Sequence, residues 1–262
     1  MLVRRDDDGM VATLTLDSPD TGNAISVAMA EQLALRASEV ASDPTVRSVL
    51  LTANGRFFCV GGDVMAIGAA GESVGVLLGS ITTPLHAAIA TFLHMEKPLV
   101  VAVNGPVAGG GLGLALVGDI VLTAMSAHFS MAYTGIGFSP DGASTWLLPR
   151  LIGLRRSQEL ALLNRRLSSD EAVSIGLVTR VVPDAELPLE SRSVAATLAN
   201  GPVGAHAAIR RLLLSSGELS PEDQMEAEAR NVGLQAAGSE GREGVAAFTQ
   251  KRKPDFSAAG RA

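Results

Sequence analysis

The chain predicts an α/β fold with a helical C-terminal region, on three observations. Short, β-branched apolar segments alternate with longer segments of helical periodicity, the order expected of an α/β core. Two of the predicted strands run directly into glycine-rich corners. After about residue 187 no strand pattern returns.

The elements follow in order. Residues 10–16 alternate, with Ala12, Leu14 and Leu16 on one side and Thr13 and Thr15 on the other, as a half-exposed strand does. Residues 26–40 read as a helix and 46–52 as a second strand. Residues 84–95 suit a helix that Lys97-Pro98 ends, because the residue before a proline is pushed out of the α region. Residues 99–103 are nearly all valine and alanine, a strand buried on both faces, and a tight loop leads from it to a buried helix over about 109–117. The uncharged stretch 98–118 has the length of a membrane span, but Pro98, Asn104, Pro106 and the glycines break it. Short strands are expected at 120–124 and 128–131, then helix. Ser168-Ser169-Asp170-Glu171 is a capping box for a helix closed by Gly176, and 178–182 is a last strand. From about 187 three helical stretches are expected, punctuated by Gly201-Pro202, Ser220-Pro221 and Gly238-Ser239. The division is into a core, residues 1–200, and a C-terminal helical region, 201–262.

Composition narrows the function. The 262 residues are 47% hydrophobic and 18% charged, enough apolar material for one large core. A net charge of -6 and 3% aromatics give neither the basic stripe nor the stacking rings of a nucleic-acid binder. One cysteine, Cys59, cannot form an internal disulfide, which fits a reducing cytoplasm. Residues 1–8 carry charges where a signal peptide has its apolar centre. No cluster has metal-ligand spacing.

The informative features are the two corners. Strand 46–52 leads to Phe58-Cys59-Val60-Gly61-Gly62-Asp63, and strand 99–103 leads through Asn104-Gly105 to Gly109-Gly110-Gly111. Glycines at a helix start leave backbone N–H groups uncovered, and the helix dipole adds positive potential there. Two such corners brought together would form a two-donor hole for an oxygen gaining negative charge. The spacing fits neither a dinucleotide fingerprint nor a phosphate loop.

With these corners go Gly22-Asn23-Ala24, Arg56-Phe57, Lys97-Pro98, Asp119-Ile120, Pro149-Arg150-Leu151-Ile152-Gly153, Gly176-Leu177-Val178, and a tail with Phe248, Lys251-Arg252-Lys253-Pro254 and Phe256. In this order they resemble the enoyl-CoA hydratase/isomerase family, the crotonase fold, over essentially the whole chain. The resemblance implies a spiral of ββα units, a C-terminal helical region that builds a homotrimer or a hexamer, and an acyl-CoA thioester as substrate, with no separate cofactor and no membrane or nucleic-acid partner. It implies a cytoplasmic enzyme of fatty acid metabolism. The thioester oxygen would accept from the N–H groups of Gly62 and Gly110. The adenine would lie along the backbone of Cys59, Val60 and Gly61, Arg56 would face the CoA phosphates, and Lys251 and Lys253 would stand near a phosphate.

The sequence departs from the hydratase pattern at both glutamate positions, which hold Gly113 and Tyr133. Glycine has no side chain, and a phenol with a pKa near 10 is a poor base at neutral pH. One acid remains, Asp141 in Ser139-Pro140-Asp141-Gly142, a stretch that by itself reads as a type I turn. Asp141 matches the single catalytic aspartate of the isomerase branches and the nucleophile of 4-chlorobenzoyl-CoA dehalogenase. A lone carboxylate suits proton transfer along an unsaturated acyl chain better than hydration, so the expectation is an isomerase of the Δ3-Δ2 enoyl-CoA or ring-epoxide type, with a weakly active hydratase, an aryl-CoA dehalogenase or a CoA-ester binding protein without chemistry as the alternatives. Burial in an apolar pocket is expected to raise its pKa. Tyr133 is expected to line the pocket without a chemical role, and His86 to sit on a helix surface, although the dehalogenase branch has a helical histidine in a comparable region. The acyl pocket is expected from loops around residues 64–85.

Overall fold

The structure is a computed structural model that describes residues 1–259. A six-stranded sheet has the order β1-β2-β3-β4-β6-β9. Its members are β1 (Val3–Asp8), β2 (Val11–Leu16), β3 (Ser48–Ala53), β4 (Leu99–Val103), β6 (Ile120–Ala124) and β9 (Arg180–Val182). All neighbours run parallel except the β1–β2 pair. A small second sheet joins β5 (Val107–Ala108), β7 (His128–Ser130) and β8 (Leu167–Ser168). Isolated bridges Cys59↔Val107 and Ile25↔Gly62 carry this layer to the first glycine corner. Each turn of chain thus lays a strand in the large sheet, a short strand or bridge in the small layer, and then a helix.

The helices are α1 (Val27–Ser42), α2 (Val64–Ala69), α3 (Val74–His94), α4 (Gly110–Leu116), α5 (Ser144–Ile152), α6 (Leu154–Leu163) and α7 (Ser169–Ser174), followed by α8 (Leu187–Ala199), α9 (Val203–Ser215), α10 (Pro221–Ala237), α11 (Ser239–Thr249) and the short α12 (Phe256–Ala259). Ser26 starts α1 by accepting from Met29 N, and Asp63 starts α2 by accepting from Ala66 N. The central strand β4 is buried along its whole length, between β3 and β6 in the sheet and with α8 and α4 packed against it.

Several expectations need correction. The charged residues 3–8 form strand β1, an edge strand closed to β2 by a two-residue turn at Gly9, whose φ of 59° suits a hairpin. Only Val3 is buried; Arg5 pairs with Asp7 and Asp43, so the charge run protects an open edge. Residues 64–85 are helical, not loops: Pro84 lies inside α3 and does not begin it. Residues 71–94 are long and apolar enough by composition to cross a bilayer. In the fold α3 sinks Ile81, Leu85, Ala88, Ile89 and Phe92 into the core against α1. The capping box is half formed, since Ser168 accepts from Glu171 N while the Glu171 carboxylate accepts from Arg165. The tail holds four long helices, not three, because each of the three breaks separates two of them.

Two arginines tie this tail to the core. Arg47 donates to Ala199 O, Gly201 O and Phe256 O and pairs with Glu240 at 3.0 Å. Arg210 on α9 pairs with Asp119 and donates to Phe92 O and Met95 O at the end of α3. At the end of α1, buried Lys97 donates from Nζ to Val40 O, at 2.6 Å, and to Asp43 O, a cation placed at a helix C-terminus. Burial pushes its pKa down. Lys97→Met keeps the stem but leaves both carbonyls unpaired, so a loss of about 2–4 kcal/mol is expected, read as a lower urea midpoint at unchanged m.

Candidate active site

The two glycine corners meet. A side-chain carbon built on Gly61 would lie 2.9 Å from Ala108 O, 3.2 Å from Gly109 Cα and 3.3 Å from Gly110 N. Gly61 has φ 93° and Gly109 φ 53°, conformations that L side chains rarely adopt. A carbon on Gly111 would collide with Cys59, 2.5 Å from its carbonyl oxygen. No larger residue fits at this contact.

Much of the backbone around the contact is engaged in hydrogen bonds. Ile25 N donates to Gly61 O, Val60 N to Gly22 O, Ala108 N to Cys59 O and Gly109 N to Ser130 O. Gly110 is the first residue of α4, where an N–H has no intrahelical partner. Neither Gly62 N nor Gly110 N donates to a protein acceptor among the described residues. Both glycines line a cavity of about 210 Å³. Its walls are apolar, with Ile25, Val60 and Ile67 on one side, Leu78, Ile81 and Leu85 of α3 on another, and Ile136 and Phe138 at its rim. The polar side chains on its lining are Thr82, Tyr133 and Asp141; among the described residues no lysine or arginine lines it.

Asp141 enters this cavity by way of a turn two residues later than the sequence suggests. Ser144 N donates to Asp141 O at 3.1 Å, and Gly142 and Ala143 take φ 60° and 58°, so the turn runs 141–144 with left-handed residues in both central positions. A left-handed alanine costs about 1–2 kcal/mol. Ser144 Oγ, fully buried, donates a second bond to Asp141 O at 2.7 Å. The carboxylate then sits beside the corner: Oδ1 is 3.6 Å from the position of a side-chain carbon on Gly110.

Two side chains flank Asp141, and both differ from expectation. Tyr133 O–H donates to Asp141 Oδ1 in a short hydrogen bond, so this phenol is a partner of the acid and not a passive wall. Burial, with the negative charge of Asp141 added, pushes the Tyr133 pKa far above its ordinary value and keeps it a neutral donor. His86 of α3 lies with Nε2 3.7 Å from Asp141 Oδ2 and accepts from Gly142 N at 3.2 Å. It is half exposed, but it faces the acid and not only solvent. The sequence signal for α3 as a cavity wall was present in the spacing 78, 81, 82, 85, 86 and 89. Reading Pro84 as a helix start hid it.

The remaining candidates lie elsewhere. Cys59 is buried, and burial pushes its thiol up to about 12, so only its backbone could touch a ligand. Arg56 is exposed, with its guanidinium 5.2 Å from the Phe57 ring centre. Lys251 is exposed just beyond α11. Neither lines the cavity. Among the described residues no three His, Cys, Asp or Glu side chains are grouped to hold a metal.

Gly113 explains the missing first glutamate. A carbon there would lie 2.1 Å from Gly142 O, because the turn that carries Asp141 rests on α4 at this point. Gly113→Ala is therefore expected to push the turn away, costing about 1–3 kcal/mol by overpacking and lowering turnover through the displaced Asp141, both checked by thermal melts and steady-state kinetics.

Residues 6–259 match the family model described as enoyl-CoA hydratase/isomerase. The 1,2-epoxyphenylacetyl-CoA isomerase of Escherichia coli (strain K12) is 38% identical over 252 residues, covering 94% of this chain and 95% of that protein. The 4-chlorobenzoyl coenzyme A dehalogenase-2 of an Arthrobacter species is 32% identical over 224 residues, covering 85% and 81%. The crystal structure of an enoyl-CoA hydratase from Polaromonas sp. JS666 superposes with a TM-score of 0.92 at 29% identity, covering 96% of this chain and 98% of that one.

Proposed function

The chain belongs to the enoyl-CoA hydratase/isomerase family, and from that premise we propose that it is an acyl-CoA isomerase of the Δ3-Δ2 enoyl or ring-epoxide type. The observation that carries this reading is a single carboxylate, Asp141, beside two free N–H groups, with no second acid on the cavity lining. In the enoyl case, Asp141 takes a proton α to the thioester. The electron pair moves onto the thioester oxygen, which accepts from Gly62 N and Gly110 N. Protonated Asp141 returns the proton at the γ carbon, which restores the thioester carbonyl and leaves the double bond conjugated. Adding water calls for a further group to orient and deprotonate it, and Gly113 and Tyr133 stand where that group would be.

The cavity also narrows the acyl group. Its walls are apolar. A chain ending in a carboxylate would meet Asp141 with no cation opposite. The reading is an uncharged acyl group. On the same premise Arg56 and Lys251 face the phosphates of CoA, and the backbone at 59–61 receives the adenine. The C-terminal helices form a homotrimer or a dimer of trimers, in the cytoplasm. Exposed Leu213, Leu234 and Phe248 on α9, α10 and α11 give that tail apolar surface to cover.

One observation favours a second reading. A carboxylate with an imidazole 3.7 Å away also suits displacement on an aryl-CoA, in which Asp141 attacks the ring, halide leaves, and His86 activates water to hydrolyse the ester. Incubation with 4-chlorobenzoyl-CoA separates the two, since chloride release and an Asp141-linked aryl adduct belong to the second alone.

The deciding experiment is conversion of 3-hexenoyl-CoA to the conjugated 2-enoyl thioester. Asp141→Asn is expected to lower kcat about 10²- to 10⁴-fold while affinity for the CoA ester survives; unchanged turnover would remove Asp141 from the mechanism. A separate test addresses the backbone donors. Gly110 is the first residue of α4, where proline is conformationally acceptable, so Gly110→Pro deletes one N–H at little cost to the helix. Turnover is expected to fall about 10²- to 10³-fold, and a folded variant with an intact rate would rule out the oxyanion pose.

A further inference from the structure

Asp141 has two chemically different oxygens. Oδ1 receives the Tyr133 hydroxyl, whereas Oδ2 faces His86 Nε2 at 3.7 Å and receives no protein donor among the described residues. His86 cannot supply one while neutral, because Nε2 is already the acceptor for Gly142 N. Tyr133 is held for this task from its own side. It follows Ala132, a residue with φ 58°, and Phe138 N and Ile136 N both donate to Tyr133 O, which closes the short turn Thr134–Ile136 around it. The hydroxyl thus comes from a rigid turn on one wall and the carboxylate from a rigid turn on the other.

We propose that Tyr133 is a positioning residue that fixes the aim of Asp141 through the bond to Oδ1. The proposal rests on the assignment of Asp141 as the base. The bond restrains rotation of the carboxylate about its last bond and leaves Oδ2 as the oxygen open to substrate. The groups facing this pair are His86 from α3 and, beside the phenol, the buried Cys59 thiol. A phenol that merely filled space would leave that aim unchanged.

The test is the split between kcat and KM for 3-hexenoyl-CoA. Tyr133→Phe keeps the ring and is expected to lower kcat about 10- to 100-fold through lost aim, with KM and melting temperature little changed. Tyr133 is the one tyrosine in the chain, so growth on fluorotyrosine alters this residue alone, and because it keeps the donor hydroxyl it is expected to retain kcat. An unchanged kcat in Tyr133→Phe, while Asp141→Asn is inactive, overturns the role of Tyr133 and leaves the base assignment standing. A kcat that falls in His86→Gln but holds in Tyr133→Phe would assign the aim to the imidazole and also overturn the proposal. An active Asp141→Asn removes the base assignment itself, and this inference with it.

Discussion

The chemistry at this site depends on a contact between two stretches of bare backbone. Gly61 and Gly109 approach until there is no room for a methyl group between them, and that approach is what brings the free N–H groups of Gly62 and Gly110 to one cavity. The contact needs support from behind. Strands β3 and β4, parallel neighbours in the large sheet, deliver the two corners side by side, and the Cys59↔Val107 bridge locks them together two residues before the glycines begin. Side chains enter the argument only afterwards, as walls around donors that the main chain supplies. An electrostatic site built this way is already oriented before a ligand arrives, which is the condition under which such donors contribute most.

Much of this was legible in residue order. Two strands ending in Gly-Gly and Gly-Gly-Gly announced the corners, valine-rich 99–103 announced the buried central strand, and Ser26 opened the first helix as expected. Asp141 stood out as the acid left when Gly113 and Tyr133 replaced carboxylates. The failures share a cause. Local rules assigned Pro84 to a helix start, the 3–8 charge run to no element, and 139–142 to a type I turn. In each case a distant partner decided otherwise: the α1 face and the cavity for α3, β2 for β1, and Gly113 of α4 for the turn at Asp141.

The proximity of His86 and Tyr133 to Asp141 could not be read from spacing, since the three lie on separate elements joined only by folding. What each contributes is asymmetric. The phenol gives a proton bond and stays neutral through burial, while the imidazole lends its lone pair to the peptide of Gly142 and so steadies the turn that carries the acid. The carboxylate is braced through its side chain on one flank and through its backbone on the other.

The resting of Gly142 O on Gly113 has a further consequence. A carboxylate placed at 113 would meet the main chain of the very loop that presents Asp141, because even its first carbon would lie 2.1 Å from Gly142 O. Fitting a second acid there would demand remodelling of 139–144 as well.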